Sequence, residues 1–321
     1  MLLTKHEVYS IAGDLHSTSD VLHTPIIQLT GKLRNLKGSK DLDFFSHLFH
    51  CDGLMLCSTE WNTRLVVWNP CTGQRRKIKP RTRYRTEDKF ALGYTTSSSS
   101  SSGRSYKIFK YRFYRNSQKL WVADCEIYEL CSDSWRVLDS FTLDSDLFFN
   151  GMSLKGDTYW VASGPVREGT DFFLMKFDFT AERFVRLPLP FKSSSILDTK
   201  LLSVVRDEKL SVLHIDDVTD VMRIWVTNKI DDEDAKDFSW RSDLVLEVGS
   251  AKFNLSVENF LLDEENRVAV CCDKFTSDGD RTMVYLVGED LCKQVYEDIR
   301  NASPVNWPLV LTYVPSLVSI H

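Results

Sequence analysis

The sequence has no long hydrophobic run. Nowhere do its 321 residues approach the roughly 18 consecutive apolar positions that a membrane span needs, and the opening Met1-Leu2-Leu3-Thr4-Lys5-His6-Glu7 lacks the apolar stretch of a secretory signal. A soluble, non-exported protein is expected. Cationic excess is missing as well: 40 Lys plus Arg stand against 45 Asp plus Glu, a net charge of −5. That balance weighs against a dedicated nucleic-acid binder, because phosphate binding draws on surplus positive charge. The eight cysteines include no CxxC pair, and the vicinal Cys271-Cys272 sits in an apolar run where small buried thiols are common. Reduced thiols in a cytoplasmic or nuclear protein follow, which makes the sequons at Asn254 and Asn301 incidental.

Helical periodicity is equally scarce. No segment longer than about two turns carries helical apolar spacing that outcompetes a strand reading, and the one candidate, residues 288–296, is short. Nucleophile elbow, P-loop and dinucleotide fingerprint are all absent. The seven histidines stand at positions 6, 16, 23, 47, 50, 214 and 321. His47 and His50 could share a helical face, but no further ligands gather with them, so no metal site is expected. Residues 277–282 have the composition of an Asp-box turn in the wrong order with no tryptophan after Thr282, and read as a tight hairpin. No catalytic residue, metal or cofactor is therefore assigned.

What is present is an ordinary globular composition tilted toward aromatics: 43% hydrophobic, 26% charged and 12% Phe, Trp and Tyr, which excludes a disordered or collagen-like chain. Length alone leaves room for two domains, although all-β folds routinely spend more than 200 residues on one. A repeat settles the reading. Apolar strand-like segments end in an aromatic and run into a polar turn: Leu65-Val66-Val67-Trp68 before Asn69-Pro70-Cys71-Thr72-Gly73, Ile127-Tyr128 before Cys131-Ser132-Asp133, Phe177-Asp178 before Thr180-Ala181-Glu182, and later Ile224-Trp225 and Val284-Tyr285. The anchors lie roughly 48 to 60 residues apart, the period of propeller blades with loop insertions. Short strands precede each anchor, as at 53–57, 156–161, 208–213 and 266–271. Closing strands of mixed apolar and cationic character follow, at 75–79, 135–138, 184–187 and 240–244. The expected class is all-β, a propeller-like ring of about six antiparallel blades. Pairing of the chain's two ends would close it, with 23–29 and 309–314 as candidates.

Most of the aromatics recur at equivalent blade positions and read as wedge packing between sheets in preference to a ligand cage or a base-stacking platform. Trp61, between Glu60 and Asn62 in an expected loop, is the tryptophan assigned to the surface. Two charged segments also stand out. Arg75, Arg76, Lys77, Lys79, Arg81, Arg83 and Arg85 form a basic run without an acid, and 231–237 is an acidic loop. The bland reading of both is a solvated surface; the functional reading of the basic run is the steering of an acidic protein partner. The candidate partner-binding residues are Trp61, Arg81, Arg83, Tyr84 and Arg85. A serine tract at 97–102 has nothing to bury and reads as a mobile loop.

The motifs resemble a known family. Cys51-Asp52-Gly53-Leu54, Val67-Trp68-Asn69-Pro70-Cys71-Thr72-Gly73, Ala91-Leu92-Gly93-Tyr94, Ser134-Trp135-Arg136, Lys155-Gly156, Tyr159-Trp160, Glu182-Arg183-Phe184, Leu187-Pro188-Leu189-Pro190 and Arg223-Ile224-Trp225-Val226 together are similar to the plant F-box-associated (FBA) interaction domain, type one, a propeller-like domain related to kelch repeats. The agreement is strongest over about 50–275. The resemblance implies the target-recognition part of an SCF-type ubiquitin ligase adaptor, with the target protein unidentified. Relatives begin with an F-box that docks on a Skp-type adaptor. Residues 1–50 carry no Leu-Pro opening and no tryptophan, and read as strands that help close the ring, with the propeller domain at 51–321. The different-class alternative is a kelch-like propeller enzyme acting on a small molecule or glycan, which would need carboxylates or histidines converging in an axial funnel.

Overall fold

The computed structural model describes residues 2–4, 7–12, 28–32, 45–59, 63–96, 103–115, 121–138, 146–147, 151–164, 171–193, 195–230, 238–241, 243, 245–249, 257–275, 281–298, 309–311 and 313–320. Among them every regular element is a β-strand. Among the described residues no helix is long and apolar enough to cross a membrane. Trp61, the serine tract 97–102, the acidic loop 231–237, residues 277–280 of the hairpin expected at 277–282, and both sequon asparagines lie outside the described residues.

The described strands group into six antiparallel sheets. The first holds β1 (Leu2–Thr4), β2 (Glu7–Ala12) and β3 (Gln28–Lys32). The second runs β4 (Phe45–Cys51), β5 (Leu54–Thr59), β6 (Leu65–Trp68) and β7 (Arg75–Ile78). The third runs β8 (Lys89–Thr96), β9 (Arg104–Arg115), β10 (Trp121–Glu129) and β11 (Ser134–Val137). In the fourth, β12 (Asp146–Leu147) and β13 (Met152–Leu154) both pair with β14 (Asp157–Ser163), followed by β15 (Phe172–Asp178) and β16 (Arg183–Leu187). The fifth is β17 (Thr199–Val205), β18 (Lys209–Ile215), β19 (Met222–Val226) and β20 (Leu246–Val248). The sixth is β21 (Val257–Asp263), β22 (Val268–Phe275), β23 (Arg281–Val287) and β24 (Cys292–Asp298). Strand β25 (Leu309–Val310) returns to the first sheet and pairs with β1, so Leu2 lies opposite Val310.

The expected all-β, blade-type architecture is thus in place, with local corrections. The partner of the returning strand is Leu2–Thr4, while the segment near 23–29 contributes the far edge β3. Of the closing strand expected at 240–244, the described residues do not form it: Trp240 makes a single bridge to Thr227, Arg241 folds back onto Asp243, and Leu246–Val248 closes the fifth sheet instead. Within 288–296, Cys292 onward is strand β24, hydrogen-bonded antiparallel along the apolar strand β23. His47 and His50 likewise sit on strand β4 and share no helical face.

The chain forms two compact units. One comprises Met1–Phe45, Leu197–Asp231 and Ser239–Tyr313, the other Ser46–Ile196, Asp232–Phe238 and Val314–His321. In the second unit every residue of β5 and β6 is buried, as expected of inner strands covered on both faces, whereas the outer strands β7, β11 and β16 stay partly wet. Aromatics fill the space between the third and fourth sheets: Phe109 stacks on Phe177 at 4.0 Å, and Tyr111 meets the edge of Trp160 at 5.7 Å. Offset and edge-on pairs of this kind add to area burial. The wedge-packing reading holds for Trp68 and Trp160, exposed by 2% and 1%; Trp225 is only half-buried. The first unit packs Leu213, Ile224 and Leu246 of the fifth sheet against Phe260, Ala269 and Cys271 of the sixth. All eight cysteines are free thiols, and burial pushes Cys57, Cys125 and Cys271 up to about 12, where the reactive thiolate is scarce.

One turn recurs. Asn69, Asp178 and Asp216 each accept two backbone N–H bonds from the residues two and three positions on, and the fifth residue, Gly73, Glu182 or Asp220, has positive φ. Short Asx side chains mimic the backbone in this way and so nucleate turns. Asp133 and Arg267 are left-handed at the same offset from Glu129 and Asp263.

Candidate functional site

The basic run begins on β7, the outer edge of the second sheet, and continues through the loop to Asp88. Its cations have several separate uses. Arg76 lies opposite Val67 on β6 and reaches the turn of the third sheet, donating to the Leu130 carbonyl at 2.7 Å and pairing with Asp133 at 2.9 Å. Arg136 occupies the corresponding place on β11, opposite Ile127, and reaches the turn of the fourth sheet, where it pairs with Glu182. Lys107 completes that cluster at 2.8 Å from Glu182. Burial would raise the Glu182 pKa, but the hydrogen bonds from Arg136 and Lys107 outweigh it and hold the carboxyl below its ordinary value. A cation on one outer strand thus clamps the left-handed acid of the next turn, twice in succession. In the first unit, Arg241 and Lys209 converge similarly on Glu264.

The loop that follows is internally braced. Arg81 pairs with Glu126 at 2.9 Å, and Lys110 lies 3.1 Å from Glu126 and 3.4 Å from Asp88. Asp88, buried, accepts the Arg85 N–H at 2.8 Å. Tyr84 donates its hydroxyl to the Ile78 carbonyl at 2.9 Å and packs edge-on against Phe90. Burial, with Tyr128 and the acids nearby, raises its pKa far above the ordinary phenol value. Arg83 is exposed and makes no ion pair among the described residues. Of the candidates assigned from sequence, then, Arg81, Arg83, Tyr84 and Arg85 share one loop; Tyr84 props it, Arg81 is tied to Glu126, and the side chains of Arg83 and Arg85 reach solvent. Trp61 lies outside the described residues.

Close approach between sheets explains two of the glycines. A Cβ on Gly93 would stand 2.3 Å from the Gly156 carbonyl oxygen, which accepts the Tyr94 N–H at 3.1 Å, and Gly156 itself has φ of 87°. Neither position has room for a side chain. The chain belongs to the F-box associated β-propeller family. The family model described as "F-box associated beta propeller domain" matches residues 1–320. An Arabidopsis thaliana F-box/kelch-repeat protein is 52% identical over 100% of this chain and 80% of its own length. A second from the same plant is 50% identical over 100% of this chain and 82% of its length. Several motifs of this FBA domain now have physical reasons: Asn69 for its turn, Gly93 and Gly156 for sheet contact, Arg136 and Glu182 for the clamp.

Sequence reasoning missed a second surface feature of the FBA domain, in the first unit. Leu197 and Val218 are exposed by 73% and 84%, on two loops joined by the Asp217 N–H donating to Asp198 at 3.2 Å. Asp198 is buried beside His214, at 2.9 Å, and Lys200, at 3.7 Å. Burial lowers the Lys200 pKa, partly countered by Asp198. Three buried ionisable groups mark no metal-binding cluster; among the described residues no group of three or more His, Cys, Asp or Glu is placed to hold an ion. His50, on β4, accepts the Gly53 N–H at 3.1 Å, and burial pushes its pKa down to about 4.

Proposed function

We propose that this domain is a non-catalytic protein-binding module of the cytoplasm or nucleus that presents a target protein to an SCF-type ubiquitin ligase, with a Skp-type adaptor engaged through an F-box. The observation that carries the reading is the unbroken family match over residues 1–320 together with relatives named as F-box/kelch-repeat proteins along the whole chain. Ubiquitin transfer belongs to other subunits. Within this reading the loop bearing Arg81, Arg83, Tyr84 and Arg85 contacts an acidic patch of the target, with Tyr84 and Asp88 holding it rigid and Arg83 supplying the uncommitted charge.

The test has two parts. The full-length transcript product is co-purified with a Skp-type adaptor, and its failure to bind would sink the ligase link. Targets recovered by affinity purification and mass spectrometry are then titrated against the purified domain and Arg83→Glu. Charge reversal is expected to slow association about tenfold at low salt and much less at high salt, as steering requires. An unchanged association rate would remove the loop from the interface.

A further inference from the structure

Segment 314–320 crosses the second sheet without a backbone-to-backbone hydrogen bond of its own among the described residues. Side chains of the sheet hold it instead. The Asn69 amide donates to the Ser316 carbonyl at 2.9 Å and to the Val318 carbonyl at 2.8 Å, while its oxygen is engaged by Cys71 and Thr72 of its own turn. The two turn bonds to its oxygen fix the orientation of this fully buried amide and aim both of its N–H donors at the segment. Gln74 accepts the Ile320 N–H at 3.1 Å and the Ser319 hydroxyl at 3.4 Å. Gly53 forms the floor: a Cβ there would stand 2.5 Å from Ser316 Cβ and 2.7 Å from the Val314 carbonyl oxygen.

Between these polar contacts the segment alternates. Val318 and Ile320 point into the cluster of Leu54, Leu56, Val67 and Tyr128, whereas Val314 and Leu317 face outward, 55% and 85% exposed. Two clamped carbonyls two residues apart, plus apolar sockets at alternate positions, are what recognition of an extended peptide requires: main-chain bonds give affinity and alternate side chains give specificity. A clamp on carbonyls is indifferent to whose chain supplies them.

We propose that Gly53, Asn69 and Gln74 form an extended-peptide site, that residues 314–320 fill it in cis, and that a target segment of the pattern small-x-aliphatic-x-aliphatic takes their place. Exchange with a target rests on the protein-binding reading above; occupancy of the site by a peptide does not. The outward Val314 and Leu317 give an incoming partner a first foothold on the strap it displaces.

The probe is the synthetic peptide Val-Pro-Ser-Leu-Val-Ser-Ile-His, fluorescently labelled. A protease site is inserted after Tyr313, the chain is folded intact and then cut, and the released strap is washed away. Saturable peptide binding to the cut protein, at least tenfold weaker binding to the uncut protein, and a tenfold or greater loss in Asn69→Ala or with Val318 and Ile320 of the peptide replaced by serine are expected. Should the cut protein lose its fold, recovery of the native circular dichroism on adding the peptide supports the site, and no recovery at hundredfold excess overturns it. Equal binding to cut and uncut protein, or insensitivity to Asn69→Ala, also overturns it. Failure of Skp-adaptor binding would leave these outcomes untouched, so the two readings fall separately.

Discussion

Replacing Trp68 by alanine removes the largest side chain among the fully buried residues of the second sheet. Its indole is 2% exposed, ends strand β6 and lies opposite Met55 on one side and Arg75 on the other. Deleting a buried aromatic ring costs the transfer energy of the ring plus that of the hole left behind, about 3–5 kcal/mol. Its Nε1–H adds a second handle, since it finds no hydrogen-bond partner among the described residues. An unsatisfied buried donor costs roughly 1–3 kcal/mol, so Trp68→Phe, which removes the donor while keeping most of the ring, is expected within about 1 kcal/mol of wild type. Trp225, half-buried at the corresponding anchor, should lose only about 1–2 kcal/mol as alanine. Urea denaturation followed by circular dichroism measures all three, provided the slope of the transition is unchanged. Wild-type stability in Trp68→Ala would refute the wedge-packing argument; a loss in Trp68→Phe as large as in Trp68→Ala would show that the indole nitrogen does hold a partner.

Two further outcomes concern charge. His50 is neutral in both folded and unfolded chains above pH 6.5, but between 6.5 and about 4 only the unfolded chain takes up the proton, so stability falls through that window by about 3 kcal/mol and levels off below it. His50→Gln should flatten the window in pH-dependent denaturation, and an identical profile would exclude the histidine. Glu182→Gln leaves Lys107 half-buried without its anion and is expected to cost about 1–3 kcal/mol, while Arg136→Ala, whose side chain is 42% exposed, costs less than about 1 kcal/mol. The reverse order in denaturation midpoints would contradict the clamp as described.

The strand-turn-strand units were legible because their causes are local. Buried runs such as Leu54–Thr59, aromatic ends such as Trp68 and Asx turns such as Asp178 to Glu182 write their geometry into neighbouring residues. Where the cause is distant, the reading failed. Trp240 has the character of a closing strand, yet its pairing is decided by Thr227 and by the Arg241–Asp243 contact. End-to-end pairing through 309–314 was expected, but the partner was not: Leu309 met Leu3, about 300 residues away, a choice no window of sequence contains. The basic run illustrates the same limit at the candidate site: its cations look equivalent in order, but Arg76 and Arg81 are neutralised by acids some 45 to 57 positions later. One signal was available and unused, the acid at the fifth position of the turns ending at Asp133 and Glu182, each preceded by an arginine one repeat earlier.

Pairing of Leu2–Thr4 with Leu309–Val310 sets a timetable for synthesis. At about 5–20 residues per second, one edge of β1 leaves the ribosome roughly 15 to 60 seconds before its partner exists. During that interval the hairpin of β1 and β2 presents an open row of amides and carbonyls, the template on which wrong chains add. Its production in the cell therefore depends on what guards a nascent chain until the last strand arrives, and any change that slows elongation near the end lengthens the exposure of the beginning.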